Sequence, residues 1–215
     1  MSEPSGSQYD IDEIVDPIRS ELTAKHEARE AALPRCREVI RLCANTIRAV
    51  HRLEMDRAQE LLGSAGALLM EVSDILAGHA DVYHAGFVHD AQKEYAEAAM
   101  TMAFVSGGDF PGPSDLNVGA AAYLNGMAEA ASELRRHLLD TLRRGNIETC
   151  EHLLAAMDDV YAVLVTIDYP DAITGGLRRT TDQVRGVIEK TRGDLTLAVR
   201  QRELERRIDE MTRKM

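Results

Sequence analysis

Gly126-Met127-Ala128-Glu129-Ala130-Ala131-Ser132-Glu133-Leu134 is the stretch on which the fold of this chain turns. Alanine, leucine and glutamate favour helix over strand. Glu129 and Glu133 stand at i,i+4 and therefore project from one side of that helix. A second run, Lys93-Glu94-Tyr95-Ala96-Glu97-Ala98, repeats the arrangement at i,i+3. Like charges at these spacings repel, at a cost of roughly a few tenths of a kcal/mol per pair. Small apolar residues surround both pairs, which implies partly buried walls. Four carboxylates converging there are costly to keep ionised unless a hard cation neutralises them. Glu94, Glu97, Glu129 and Glu133 are thus the candidate ligands of a Mg²⁺ or Mn²⁺ ion. The competing reading is two ordinary solvated helix faces, since glutamate is a good helix former.

The same periodicity extends in both directions. Runs with a period near 3.6 cover most of the chain, and no strand signal competes with them. Helices are expected at about 17–53, 55–77, 81–105, 118–144, 147–167 and 174–211, from the pattern and its breaks. Pro17 suits a first helical turn, where no N–H is needed. Pro34 falls inside the first pattern and should kink or split it. Ser106-Gly107-Gly108-Asp109-Phe110-Pro111-Gly112-Pro113-Ser114 is the clearest loop. Gly145-Asn146 stops the fourth helix, and Tyr169-Pro170-Asp171 breaks the fifth. The fold class that follows is all-α: a single-domain up-and-down helical bundle of about six to seven helices over residues 11–215, preceded by a flexible tail at 1–10.

Composition narrows the function. At 215 residues the chain can bury one sizeable core. A net charge of −11 argues against a surface coated in basic patches for duplex DNA. It leaves RNA open, because the distribution of charge matters more than its sum. Cys36, Cys43 and Cys150 form no spaced ligand pattern and no disulfide framework, which points to a reducing cytoplasm. The first basic residue is Arg19, after Glu3, Asp10, Asp12, Glu13 and Asp16, the opposite of a secretory signal. No apolar run reaches the length of a membrane span.

Arg37, Arg41, Arg48 and Arg52 fall within roughly 60° of one another on a helical wheel, beside an apolar face. His51 falls at about −40° on the same wheel, next to that stripe. Guanidinium groups grip phosphate oxygens in pairs, so the stripe is a candidate nucleic-acid surface. An ordinary solvated face is the alternative. His84 and His89 lie one to two turns before Glu94 and are candidates for RNA contact or proton transfer. From Arg178 onward, 11 Lys/Arg stand against 7 Asp/Glu, and this last helix reads as a subunit contact with exposed charges. No Glu-x-x-His occurs, which disfavours a di-iron bundle. There is no Gly-rich phosphate loop, Cys/His zinc pattern or Ser-His-Asp nucleophile motif.

The stretches Gln92 to Phe104 and Tyr123 to Arg136, followed by Gly145-Asn146 and the region Leu177-Arg178-Arg179 through Val184, resemble the translin/TRAX family (TRAX being translin-associated factor X). The likeness runs from about Arg19 to Arg207 and lies in the order and spacing of its motifs. It implies an all-α subunit assembling into a closed oligomer, an octamer, that holds single-stranded nucleic acid inside. TRAX-type subunits are metal-dependent endoribonucleases, whereas translin-type subunits bind nucleic acid and lack the first acidic pair. Glu94-x-x-Glu97 places this chain with TRAX. The TRAX pattern carries onto Glu94, Glu97, Glu129 and Glu133, with Glu129 standing where the family usually has Asp. The resemblance therefore implies a cytoplasmic Mg²⁺- or Mn²⁺-dependent endoribonuclease, a homo-oligomer whose partner is single-stranded RNA, with DNA as a second candidate, and no membrane. Two rivals are a non-catalytic, translin-like binding protein and an all-α nucleotide pyrophosphohydrolase. The latter class typically carries Glu-x-x-Asp as its second pair, unlike Glu129-x-x-x-Glu133.

Overall fold

The computed structural model describes residues 11–213; the tail expected at 1–10 lies outside them. The described residues form nine helices and no strand: α1 Ile11–His51, α2 Met55–Ile75, α3 Ala80–Tyr83, α4 Gly86–Ser106, α5 Pro113–Leu116, α6 Ala120–Arg143, α7 Ile147–Leu164, α8 Asp171–Thr174 and α9 Leu177–Thr212. Six are long, and α3, α5 and α8 are single turns. The single turns correct three expected boundaries. The third expected helix is broken at His84–Ala85, Asn117 adopts a left-handed conformation (φ 52°) ahead of α6, and Gly175 and Gly176, both at positive φ, separate α8 from α9. A left-handed residue cannot be carried through a right-handed helix.

Pro17 and Pro34 both lie inside α1, which is continuous from Ile11 to His51. Pro17 is therefore not a first-turn residue, and Pro34 does not split the helix. Pro34 and Glu30, whose carbonyl loses its helical partner, are both exposed. Water can satisfy that carbonyl, so the proline is tolerated on the solvent face.

The bundle is two three-helix layers joined by a seam. Val39, Cys43, Val50, Ala58, Ala65, Val72, Val88 and Ala91 fill the core between α1, α2 and α4. Leu134, Leu138, Cys150, Met157, Leu164, Leu177 and Val184 fill the core between α6, α7 and α9. Where α4 meets α6, the fully buried side chains are Ala96, Met100 and Ala130, with Phe104, Tyr123 and Met127 packed partly buried around them. Fully burying one leucine such as Leu134 is worth about 1.5–3 kcal/mol, so the two layers carry the stability. The seam instead holds α4 and α6 close together. No helix among the described residues is long and apolar enough to cross a membrane.

Candidate metal centre

Gly126 sets the geometry of the seam. A Cβ on Gly126 would stand 2.6 Å from the carbonyl oxygen of Lys93, 2.8 Å from the Ala96 Cβ and 3.0 Å from the Glu97 nitrogen. The α6 backbone thus lies directly on the first turns of α4. Glu129 is three residues beyond Gly126, and side chains lean toward the helix N-terminus, so Glu129 projects back over the contact. Glu94, Glu97 and Glu129 each bring a carboxylate oxygen to within 4.8 Å of the other two, and all three are half-buried. Glu129 of the second pair thus meets both members of the first pair.

Glu133 lies outside that set of three. Its Oε1 is 2.5 Å from Nε2 of His51, at the C-terminal end of α1. The His51 side chain is only 3% exposed, and its Nδ1 is buried without a partner. The imidazole is therefore fixed by packing and turned toward Glu133. The wheel placed His51 beside the arginine stripe; the structure puts it against the acidic cluster. Cys43, about two turns before His51 on α1, is fully buried near Glu94 and Glu97. Its thiol is pushed up by burial and then by the negative charges of Glu94 and Glu97, and it stays neutral.

Glu97 is the most perturbed carboxyl. Burial, then repulsion from Glu94, Glu129 and Glu133, raise it from 4.5 to about 8, with Lys93 opposing. Glu94 is also raised, chiefly by burial, with Lys93 again opposing. The Lys93 ammonium lies 2.7 and 2.6 Å from the two oxygens of Glu129 and 3.5 Å from Glu94. Burial works against its charge, yet the bond to Glu129 and the charges of Glu129, Glu94 and Glu97 outweigh it and raise its pKa.

A cleft of about 420 Å³ opens beside the cluster. His84, His89, Asp90, Lys93, Asn125 and Glu129 line it. The two histidines singled out in the sequence thus share a cleft with Glu129, one of the three clustered carboxylates. His84 is exposed, with its ring edge-on to Tyr83, and His89 carries a buried Nε2 with no partner. Asn125 braces the floor: its Nδ2 donates to the Ala121 and Thr174 carbonyls, and its Oδ1 accepts from Thr180.

Arg37, Arg41, Arg48 and Arg52 are all exposed, as the wheel required. Arg41 donates to Glu38 and Arg48 to Asn45. Arg48 and Arg52 border a separate depression between α1 and α2, not the acidic cleft. Sequence reasoning missed His51 as a partner of Glu133, and it missed Lys93 altogether. One signal was available for Lys93: it is one of only four lysines among 25 basic residues and adjoins Glu94.

A solved structure of AfC3PO in complex with duplex RNA superposes with a TM-score of 0.82 and 32% identity, covering 87% of this chain and 97% of that one. AfC3PO solved alone gives 0.80 and 32%, with 98% of that chain covered. AfC3PO is a translin/TRAX-type component. The chain belongs to the translin/TRAX family. NeC3PO, at 21% identity and a TM-score of 0.78 over 90% of this chain and 100% of that one, shares the fold with this translin/TRAX chain. An uncharacterized Methanocaldococcus jannaschii protein is 28% identical over 176 residues, 81% of this chain and 78% of the relative. No family model matches the translin/TRAX chain.

Proposed function

We propose that this chain is a subunit of a divalent-metal-dependent endoribonuclease that encloses RNA in a closed homo-oligomer, an octamer in keeping with its family. The observation that carries the reading is the gathering of Glu94, Glu97 and Glu129, from two helices, within 4.8 Å. The donor set fits Mg²⁺ or Mn²⁺ on three counts. All donors are carboxylate oxygens, which suit a hard cation and not zinc. Glu97 sits in surroundings that oppose its charge. Finally, a cationic group, the Lys93 ammonium, is already bonded to both oxygens of Glu129.

Glu94, Glu97 and Glu129 would hold the ion. When bound, it would supply polarisation of the phosphate and a water of lowered pKa. Glu133, held against His51, would accept a proton from an attacking water. His84 and His89 line the approach and would contact the backbone or carry protons. The arginines on α1 would hold more distant phosphates. The AfC3PO relative, solved with duplex RNA, supports RNA as the ligand class. It also widens the substrate question, since enclosure alone favours flexible single strands.

The test is incubation with labelled single-stranded and duplex RNA, with Mg²⁺ and with EDTA, beside the Glu129→Gln variant. Fragments that need the metal and vanish in the variant are expected from the single strand. RNA retained but intact in every lane, indifferent to EDTA, would assign the chain to binding without catalysis. Pyrophosphate released from nucleoside triphosphates would favour the pyrophosphohydrolase.

A further inference from the structure

Lys93 has a contact that the proposed nuclease chemistry does not use. Its ammonium spans both oxygens of Glu129, at 2.7 and 2.6 Å, and reaches Glu94 Oε1 at 3.5 Å. Those are two of the three residues whose oxygens gather as a candidate metal site. A carboxylate that gives both oxygens to an ammonium has its best-directed lone pairs taken, so Lys93 and a divalent ion would compete for the same atoms. The two cations would also repel each other at this distance.

The side chain has somewhere else to go. Lys93 lines the cleft with His84, His89 and Asp90. Asp90 lies one turn earlier on α4, at i−3, and its side chain is 64% exposed. An ammonium released from Glu129 can rotate about its own four-carbon stem toward Asp90 without moving the backbone, which is pinned under Gly126. There it would present a positive charge to the open cleft, on the side from which a phosphate would approach.

We propose that Lys93 is an exchangeable counter-cation: it neutralises Glu129 by direct bonding, is displaced toward Asp90 when a divalent ion takes that carboxylate, and so both sets the affinity of the site for metal and couples metal loading to a positive charge in the cleft. The proposal rests on the metal-centre reading and adds a residue that this reading leaves idle. No covalent step is involved. The lysine trades one carboxylate for another.

The experiment is a Mn²⁺ titration of the full chain followed by electron paramagnetic resonance, on wild type, Lys93→Met, Lys93→Arg and Glu129→Gln, with helix content checked by circular dichroism. Lys93→Met removes the competitor and should bind Mn²⁺ at least tenfold more tightly than wild type. Lys93→Arg keeps a cation that can span Glu129 and should stay within about threefold of wild type. Equal or weaker binding by Lys93→Met overturns the proposal, as does tightening in Lys93→Arg to match Lys93→Met. If Lys93→Met fails to fold, Lys93→Gln takes its place: it keeps most of the stem, loses the charge and should show the same gain. Wild-type or weaker affinity in Lys93→Gln overturns the proposal. Saturable binding that is abolished in Glu129→Gln establishes the metal centre independently of Lys93. If no form binds Mn²⁺ saturably, the metal-centre reading fails and this proposal with it.

Discussion

The Cβ that Gly126 lacks would stand 2.6 Å from the carbonyl oxygen of Lys93. This close backbone approach controls how near α6 comes to α4, and so whether Glu129 can share a site with Glu94 and Glu97. Gly126→Ala cannot be absorbed by a flexible side chain, because the opposing atoms are backbone and Ala96. The helices must shift apart, at a cost of about 1–3 kcal/mol. Thermal melts and Mn²⁺ titration of that variant should show both lower stability and weaker binding. A Gly126→Ala protein with wild-type melting and affinity would mean that the seam is looser than described.

Glu97 gives a pH dependence of defined sign. Its carboxyl is held up at about 8 against an ordinary 4.5, first by burial and then by its acidic neighbours. With metal chelated, the unfolded chain loses the Glu97 proton near 4.5, while the folded chain keeps it to about 8. The folded state therefore binds more protons across that window, and this residue's contribution to stability falls as pH rises through it. Glu97→Gln removes the effect. Urea midpoints at pH 5 and pH 8.5 should show the variant gaining on wild type at the higher pH. A gap that does not widen would show that Glu97 ionises normally.

The same residue links metal uptake to proton release. A divalent ion and a proton compete for Glu97, so binding at pH 7 should expel about one proton per site. Calorimetric titrations of Mn²⁺ in buffers of different ionisation enthalpy measure that number directly, and zero release alongside a pH-dependent stability gap would remove Glu97 from the ligand set.

His51 should matter through Glu133. His51→Ala leaves a half-buried carboxylate without its donor, at a cost of about 1–3 kcal/mol. Gln places a side-chain N–H near the position of the imidazole Nε2, so His51→Gln should recover part of that stability. If Glu133 serves as the base, cleavage should follow the same order while Mn²⁺ affinity changes little. Equal behaviour of the two variants would reduce the contact to simple packing.

The arginine stripe has a salt signature. Removing one guanidinium–phosphate pair should make the salt dependence of RNA affinity shallower by about one. Arg37→Ala with Arg52→Ala, both exposed positions, should weaken RNA binding and flatten that slope without altering Mn²⁺ affinity. An unchanged slope in filter binding would return the stripe to plain solvated surface.

How much of the molecule is legible in its sequence differs by element. The six long helices follow from local rules: apolar residues at a period near 3.6, glycine and proline between them, and helix formers throughout. At Pro34 the sequence shows a missing hydrogen bond but not whether water can replace it, so it does not choose between a kink and a break. The solvent-facing position of Pro34 decides that, and it depends on which face of α1 packs inward.

The identities of Glu94, Glu97 and Glu129, and their spacing within each helix, were determined by the sequence itself, since i,i+3 and i,i+4 project from one face whatever surrounds them. Only the tertiary structure could decide that the two faces meet, because that depends on Gly126 lying against a backbone 33 residues away. The same holds for His51 and Glu133, joined across 82 positions, and for Lys93 and Glu129, across 36. The reason is one of range. Helix periodicity is written in neighbours three and four apart, whereas a shared charge centre is made by backbones approaching closely between layers, and no local pattern encodes that distance.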